Sequence, residues 1–141
     1  MSKYKKMSAQ QIYNENIKLI CIDGSKFIEP DNPAAKIYTV MVKHGCPKCN
    51  DGTPKTMPEL QSYWDLLETD KHVVLVFYNP DGTALQGFSD VFLNALSKFD
   101  GAVCVVTEQC LSNTSLKCFS QNQPQLVENI VGWIRAIALE A

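Results

Sequence analysis

With 141 residues, 45% hydrophobic and 20% charged, the chain has the size and composition of one globular domain with its own core, which excludes a disordered, collagen-like or repeat protein. Thirteen basic against fifteen acidic residues leave a net charge of -2, and Lys3, Lys5 and Lys6 are too few and too terminal to favour phosphate, so no nucleic-acid partner is expected. No run approaches the roughly 20 apolar residues of a membrane span, and the N-terminal region lacks the layout of a signal peptide; the expectation is a cytoplasmic protein without a membrane span.

Residues 1–16 read as an N-terminal arm, in which the capping box Ser8-Ala9-Gln10-Gln11 predicts a short helix over about 9–14; the main domain follows over 17–141. Ile17 to Ile22 is nearly continuous in apolar character, as a strand buried on both faces would be, and Asp23-Gly24 ends it. Glu29-Pro30-Asp31-Asn32-Pro33 predicts a loop, and the β-like run Ile37 to Lys43 predicts a second strand leading into Cys46-Pro47-Lys48-Cys49. Asn50 to Pro54 is turn-forming, after which the capping box Thr56-Met57-Pro58-Glu59 and the spacing of Leu60, Tyr63, Trp64 and Leu67 predict a helix over 57–69.

Val73 to Tyr78 predicts a strand, and Asn79-Pro80-Asp81-Gly82 a turn able to close a hairpin onto Thr83 to Gly87. Ser89 caps a helix whose Phe92, Ala95, Leu96 and Phe99 share a face, and Asp100-Gly101 stops it. Ala102 to Thr107 reads as a buried strand and Ser115 to Phe119 as a short edge strand. The last element is a helix with Pro124 in its first turn and a stripe of Leu126, Ile130, Trp133, Ile134 and Ile137. Interleaved helices and buried strands predict an α/β fold with a sheet of mixed direction covered on both faces.

Chemistry concentrates in the cysteines. A CxxC turn brings two sulfurs within reach of each other, so Cys46 and Cys49 can close a disulfide, exchange one, or hold half of a metal site. In a reducing compartment the six cysteines stay mostly as thiols. Cys21 and Cys104 lie within apolar strands and read as core; Cys110 and Cys118 are either unrelated thiols or a pair gathered by one loop. His44 and His72 flank strand ends and are expected to face solvent. Tyr63, Trp64, Phe92 and Trp133 are expected in the core. Asn113-Thr114-Ser115 is a chance match to a glycosylation acceptor. Phosphate loops, paired-histidine zinc motifs and nucleophile elbows are absent, and Asp51, Asp81 and Glu108 are assigned no catalytic role.

The succession strand, strand, CxxC, helix, strand, helix, strand, short strand, terminal helix resembles the thioredoxin fold from about Ile17 to Leu139, and Tyr38 to Cys49 is similar to the strand and Cys-Pro-Xaa-Cys of glutaredoxins. The resemblance implies a thioredoxin-like α/β domain, with a central mixed sheet of about four or five strands and helices on both faces. It also implies thiol–disulfide exchange with Cys46 as attacking thiolate and Cys49 as resolving thiol, protein thiols or disulfides or glutathione as partners, and no cofactor. Lys43, Lys48 or a protonated His44 would lower the pKa of Cys46. Two alternatives stay open. One is a redox-inert structural or interaction module of a larger assembly, with protein partners. The other is a zinc-stabilised module in which Cys46 and Cys49 take two corners of a tetrahedron and His44, His72, Cys104, Cys110 or Cys118 supply the others.

Overall fold

The near-continuous apolar runs do form strands, and each sends alternate side chains to opposite faces of one sheet. The computed structural model describes residues 17–69, 71–79, 88–108 and 116–140, with residues 138–140 described by backbone alone. Its strands are β1 (Ile17–Asp23), β2 (His72–Tyr78), β3 (Val103–Thr107) and β4 (Lys117–Ser120), in the spatial order β1-β2-β3-β4. Every neighbouring pair is parallel: Ile20 pairs with Leu75, Val76 with Cys104, and Val105 with Cys118. Among the described residues the expected mixed sheet is therefore a four-stranded parallel one.

Among the described residues four helices cover it: α1 (Ala34–Lys43), α2 (Met57–Asp65), α3 (Asp90–Ser97) and α4 (Leu126–Glu140). Ile20, Ile22, Leu75, Phe77, Val103 and Val105 face a core shared with α1, α2 and α3. The intervening Val74, Val76, Cys104 and Val106 face a second core closed by Leu126, Ile130, Val131 and Ile134 of α4. Helices thus lie on both faces, three on one and one on the other. Among the described residues no helix is long and apolar enough to cross a membrane.

The largest departure from the sequence reading is Ile37 to Lys43, which is helix α1 and not a strand. β-Branched and aromatic residues favour strands only weakly and by context, whereas Ala34, Ile37, Tyr38 and Met41 are buried at helical spacing along one stripe. The polar Thr39 fits the exposed side because its hydroxyl donates to the Ala35 carbonyl one turn back, at 2.9 Å. Pro33 stands at the N-cap, so the proline pair ends the loop and opens the helix. The element order becomes strand, helix, helix, strand, helix, strand, strand, helix, and the thioredoxin-like succession is lost.

Other elements lie close to expectation. Thr56 caps α2, its Oγ1 accepting from the Glu59 N–H and donating to the Glu59 carboxylate, though the helix ends at Asp65, short of Thr69. Ser89 caps α3 by accepting from the Val91 and Phe92 N–H groups, and its hydroxyl donates to Asp31. The predicted helix over 9–14, the strand over 83–87, and Cys110 lie outside the described residues. Because α1 connects parallel strands, it runs back from the carboxyl end of the sheet to the amino end. That return delivers Cys46-Pro47-Lys48-Cys49 to the amino end, opposite the edge where open parallel sheets usually bind ligands.

Candidate functional site

The cysteine turn is built from a helix terminus. Gly45, with φ +99°, takes the left-handed conformation that ends α1; its N–H donates to the Val42 carbonyl at 3.0 Å, and the Cys46 N–H donates to the Met41 carbonyl at 3.0 Å. These two bonds form a Schellman motif, in which the residue after the left-handed one packs back on the last turn of the helix. Cys46 holds that position, 4% exposed, in the same core as Met41. Its environment therefore matches that of a small apolar residue at a helix cap.

Two tyrosines pin the rest. Tyr38 on α1 and Tyr63 on α2 meet edge to face with ring centroids 5.0 Å apart. The Tyr38 hydroxyl accepts from the Cys49 N–H at 2.8 Å, and the Tyr63 hydroxyl donates to the Pro47 carbonyl at 2.6 Å. Lys18 on β1 closes the other side, its ammonium donating to the His44 carbonyl at 2.8 Å, where a cation complements the negative end of the helix. His44 Nδ1 lies 2.9 Å from the Val40 carbonyl, a contact that keeps a proton on that nitrogen.

Electrostatics follow from this placement. Burial pushes the Cys46 thiol above its ordinary range, and the opposing attraction of Lys18 does not reverse the shift. The expected lowering by Lys43, Lys48 or His44 is thus overturned: the nearby cation is Lys18, it is engaged with a carbonyl, and desolvation wins. The C-terminal end of α1 also disfavours a thiolate, whereas the N-terminal helix end used by reactive cysteines would favour one. Tyr63 is raised as well, first by burial and then by Cys46, Tyr38 and Cys49.

Cys46 and Cys49 are both free thiols. Cys21 and Cys104 lie on the sheet; burial pushes Cys21 up to about 11 and raises Cys104 too. Cys118 stands on β4 with its sulfur 3.2 Å from Thr107 Oγ1. Among the described residues no three His, Cys, Asp or Glu side chains gather closely enough to hold a metal ion, so the structure brings none of His44, His72, Cys104 or Cys118 together with Cys46 and Cys49 as a ligand set.

Sequence reasoning missed a second feature at the same end of the sheet. Two cavities of about 320 and 460 Å³ open across the starts of β2, β3 and β4 and share Ala102 and Ile137. Trp133 lines one and Trp64 the other, so both expected core tryptophans are half-buried groove walls. Gly101 lets this wall form: a Cβ there would stand 2.7 Å from Trp64 and 2.9 Å from Phe99. Tyr63 and Phe92 are core, as expected.

The model of the NACHT C-terminal Alpha/Beta 1 family matches residues 4–137. The chain belongs to this family. Membership corrects the thioredoxin and glutaredoxin resemblance, which rested on the cysteine motif and on an element order that α1 breaks. With that resemblance goes the reading as a thiol–disulfide oxidoreductase exchanging with protein thiols or glutathione, and the ground for naming Cys46 attacking thiolate and Cys49 resolving thiol. No curated protein and no solved structure matches the chain.

Proposed function

We propose that this α/β domain is an interaction module of a larger NACHT-associated assembly, and that Cys46-Pro47-Lys48-Cys49 serves it as a structural cap. Membership in the NACHT C-terminal Alpha/Beta 1 family over residues 4–137 carries this reading. The geometry of the turn supports it: a buried Cys46 with a raised pKa is a poor nucleophile, and the backbone groups of Pro47 and Cys49 are held by Tyr63 and Tyr38. Its partners are proteins, foremost the NACHT-bearing region it accompanies.

Association is the test. The chain and the NACHT-bearing region of the same system, supplied as separate chains, are mixed and followed by size-exclusion chromatography with light scattering, under reducing and oxidising conditions. A complex of the same stoichiometry in both is expected. No association under either condition overturns the proposal, and a complex that forms only when thiols are oxidised restores a redox role.

A further inference from the structure

The two faces of the sheet are covered unequally. Neighbouring strands lie about 4.8 Å apart and a helix with its side chains is about 10 Å wide, so one helix covers about two strands and a four-stranded face needs two. The first face has α1, α2 and α3; among the described residues the second has α4 alone. α4 leans toward the far edge, where Trp133 meets the Phe119 ring of β4 with centroids 6.1 Å apart. β1 forms the opposite edge, and its two faces differ. Ile20 and Ile22, on the first face, are 0% and 1% exposed, whereas Leu19 and Cys21, which pack against the second core, are half-buried.

We infer that residues 4–16 fold back as the second helical segment of this face, laying Ile12 and Tyr13 on Leu19 and Cys21 beside α4. The family model matches from residue 4, so the domain includes the stretch before β1. That stretch ends at Ile17, itself a member of the second core, and its capping box predicts a helix over about 9–14 in which Ala9, Ile12 and Tyr13 share one side. Glu15 and Asn16 then connect helix to strand, an ordinary length for such a connection, and return the helix antiparallel to β1. At 1.5 Å per residue the helix is about 9 Å long, enough to cover the roughly 7 Å from Leu19 to Cys21. The tether makes the contact intramolecular, which favours it over a free segment of equal chemistry. The other stretches outside the described residues are anchored elsewhere: 80–87 leads from β2 to α3 on the first face, and 109–115 joins β3 to β4 and ends at Leu116, which packs on the first core. The inference is independent of the interaction-module reading and removes one apolar face from those open to a partner.

The test is methyl NMR of the full chain labelled at Ile and Leu. Cross-relaxation between the methyl groups of Ile12 and Leu19 is expected, and a mixture of differently labelled chains should show that it stays within one chain. Contacts of Ile12 with any other surface, no contact at all, or contacts only between copies overturn the inference. Ile12→Ser supplies a second readout, the alkylation rate of Cys21 measured by mass spectrometry of its peptide. Loss of the covering helix should raise that rate at least about tenfold by easing local opening, while the rate of Cys49, packed against the first core, stays unchanged. Ile12→Ala replaces the variant if its thermal melt shows that it does not fold. An unchanged Cys21 rate in a folded variant overturns the inference, as does an equal rise at Cys49.

Discussion

The cysteine turn and the tryptophan groove lie at the same end of the sheet, yet they differ in what they leave available. In the turn, Cys46 is buried and the backbone groups of Cys46, Pro47 and Cys49 are committed to Met41, Tyr63 and Tyr38. In the groove, half-buried Trp64 and Trp133 wall open space rimmed by Lys71 and Lys117. A motif with the residue types of chemistry is closed inward, and a surface with no motif is open outward. Availability separates a cap from an open surface, and residue identity alone does not supply it.

The sharpest way to break this contrast is to remove the two sulfurs separately. Cys46→Ser buries a hydroxyl where a small apolar group caps α1 and should lower unfolding stability by about 1–3 kcal/mol in denaturant titration. Cys49→Ser, at a half-buried site, should change it by less than about 0.5 kcal/mol. Equal effects would mean that Cys46 is not the packed member of the pair. Next in size is Gly45→Ala, which forces a side chain into a left-handed position 3.1 Å from Lys18 Nζ and should cost about 1–2 kcal/mol, with Gly45→Asn costing less. An unchanged denaturation midpoint for Gly45→Ala would remove the Schellman cap from the account.

The smallest effect is alkaline. Burial pushes Cys21 up to about 11, so the folded state holds its proton longer than the unfolded chain does. Stability from this thiol is therefore complete below about pH 9 and declines as pH rises toward 11; buried Cys104 adds in the same direction. Melting temperatures of wild type and Cys21→Ala across that range should converge as pH rises. A gap that widens with pH would reverse the sign of the shift.

Much of the fold was legible in local pattern. The apolar runs from Ile17, Val73 and Ala102 are strands, and the caps at Thr56 and Ser89 open helices, because these signals act within a few residues. Strand direction was not legible, since parallel pairing depends on how each connection returns. The run Ile37 to Lys43 satisfied both β propensity and a helical stripe, and burial against β1 and α2 decides for the stripe. That single misreading carried the functional one: with a strand before it the cysteine pair resembles a glutaredoxin site, and with a helix before it Gly45 and Cys46 become a C-terminal cap. The groove was hidden for another reason, because its walls come from the end of α2, the starts of β2, β3 and β4, and the far part of α4.

The central claim is that Cys46 caps a helix in an interaction module and does not act as a nucleophile. Its most direct test is the alkylation rate of Cys46 and Cys49 in the reduced, folded chain as a function of pH, read by mass spectrometry of the peptide that contains both. Cys46 should react far more slowly than Cys49, with an apparent pKa above the free-thiol value of about 8.5. Fast labelling of Cys46 with an apparent pKa below about 7 would contradict the account and return the turn to thiol chemistry.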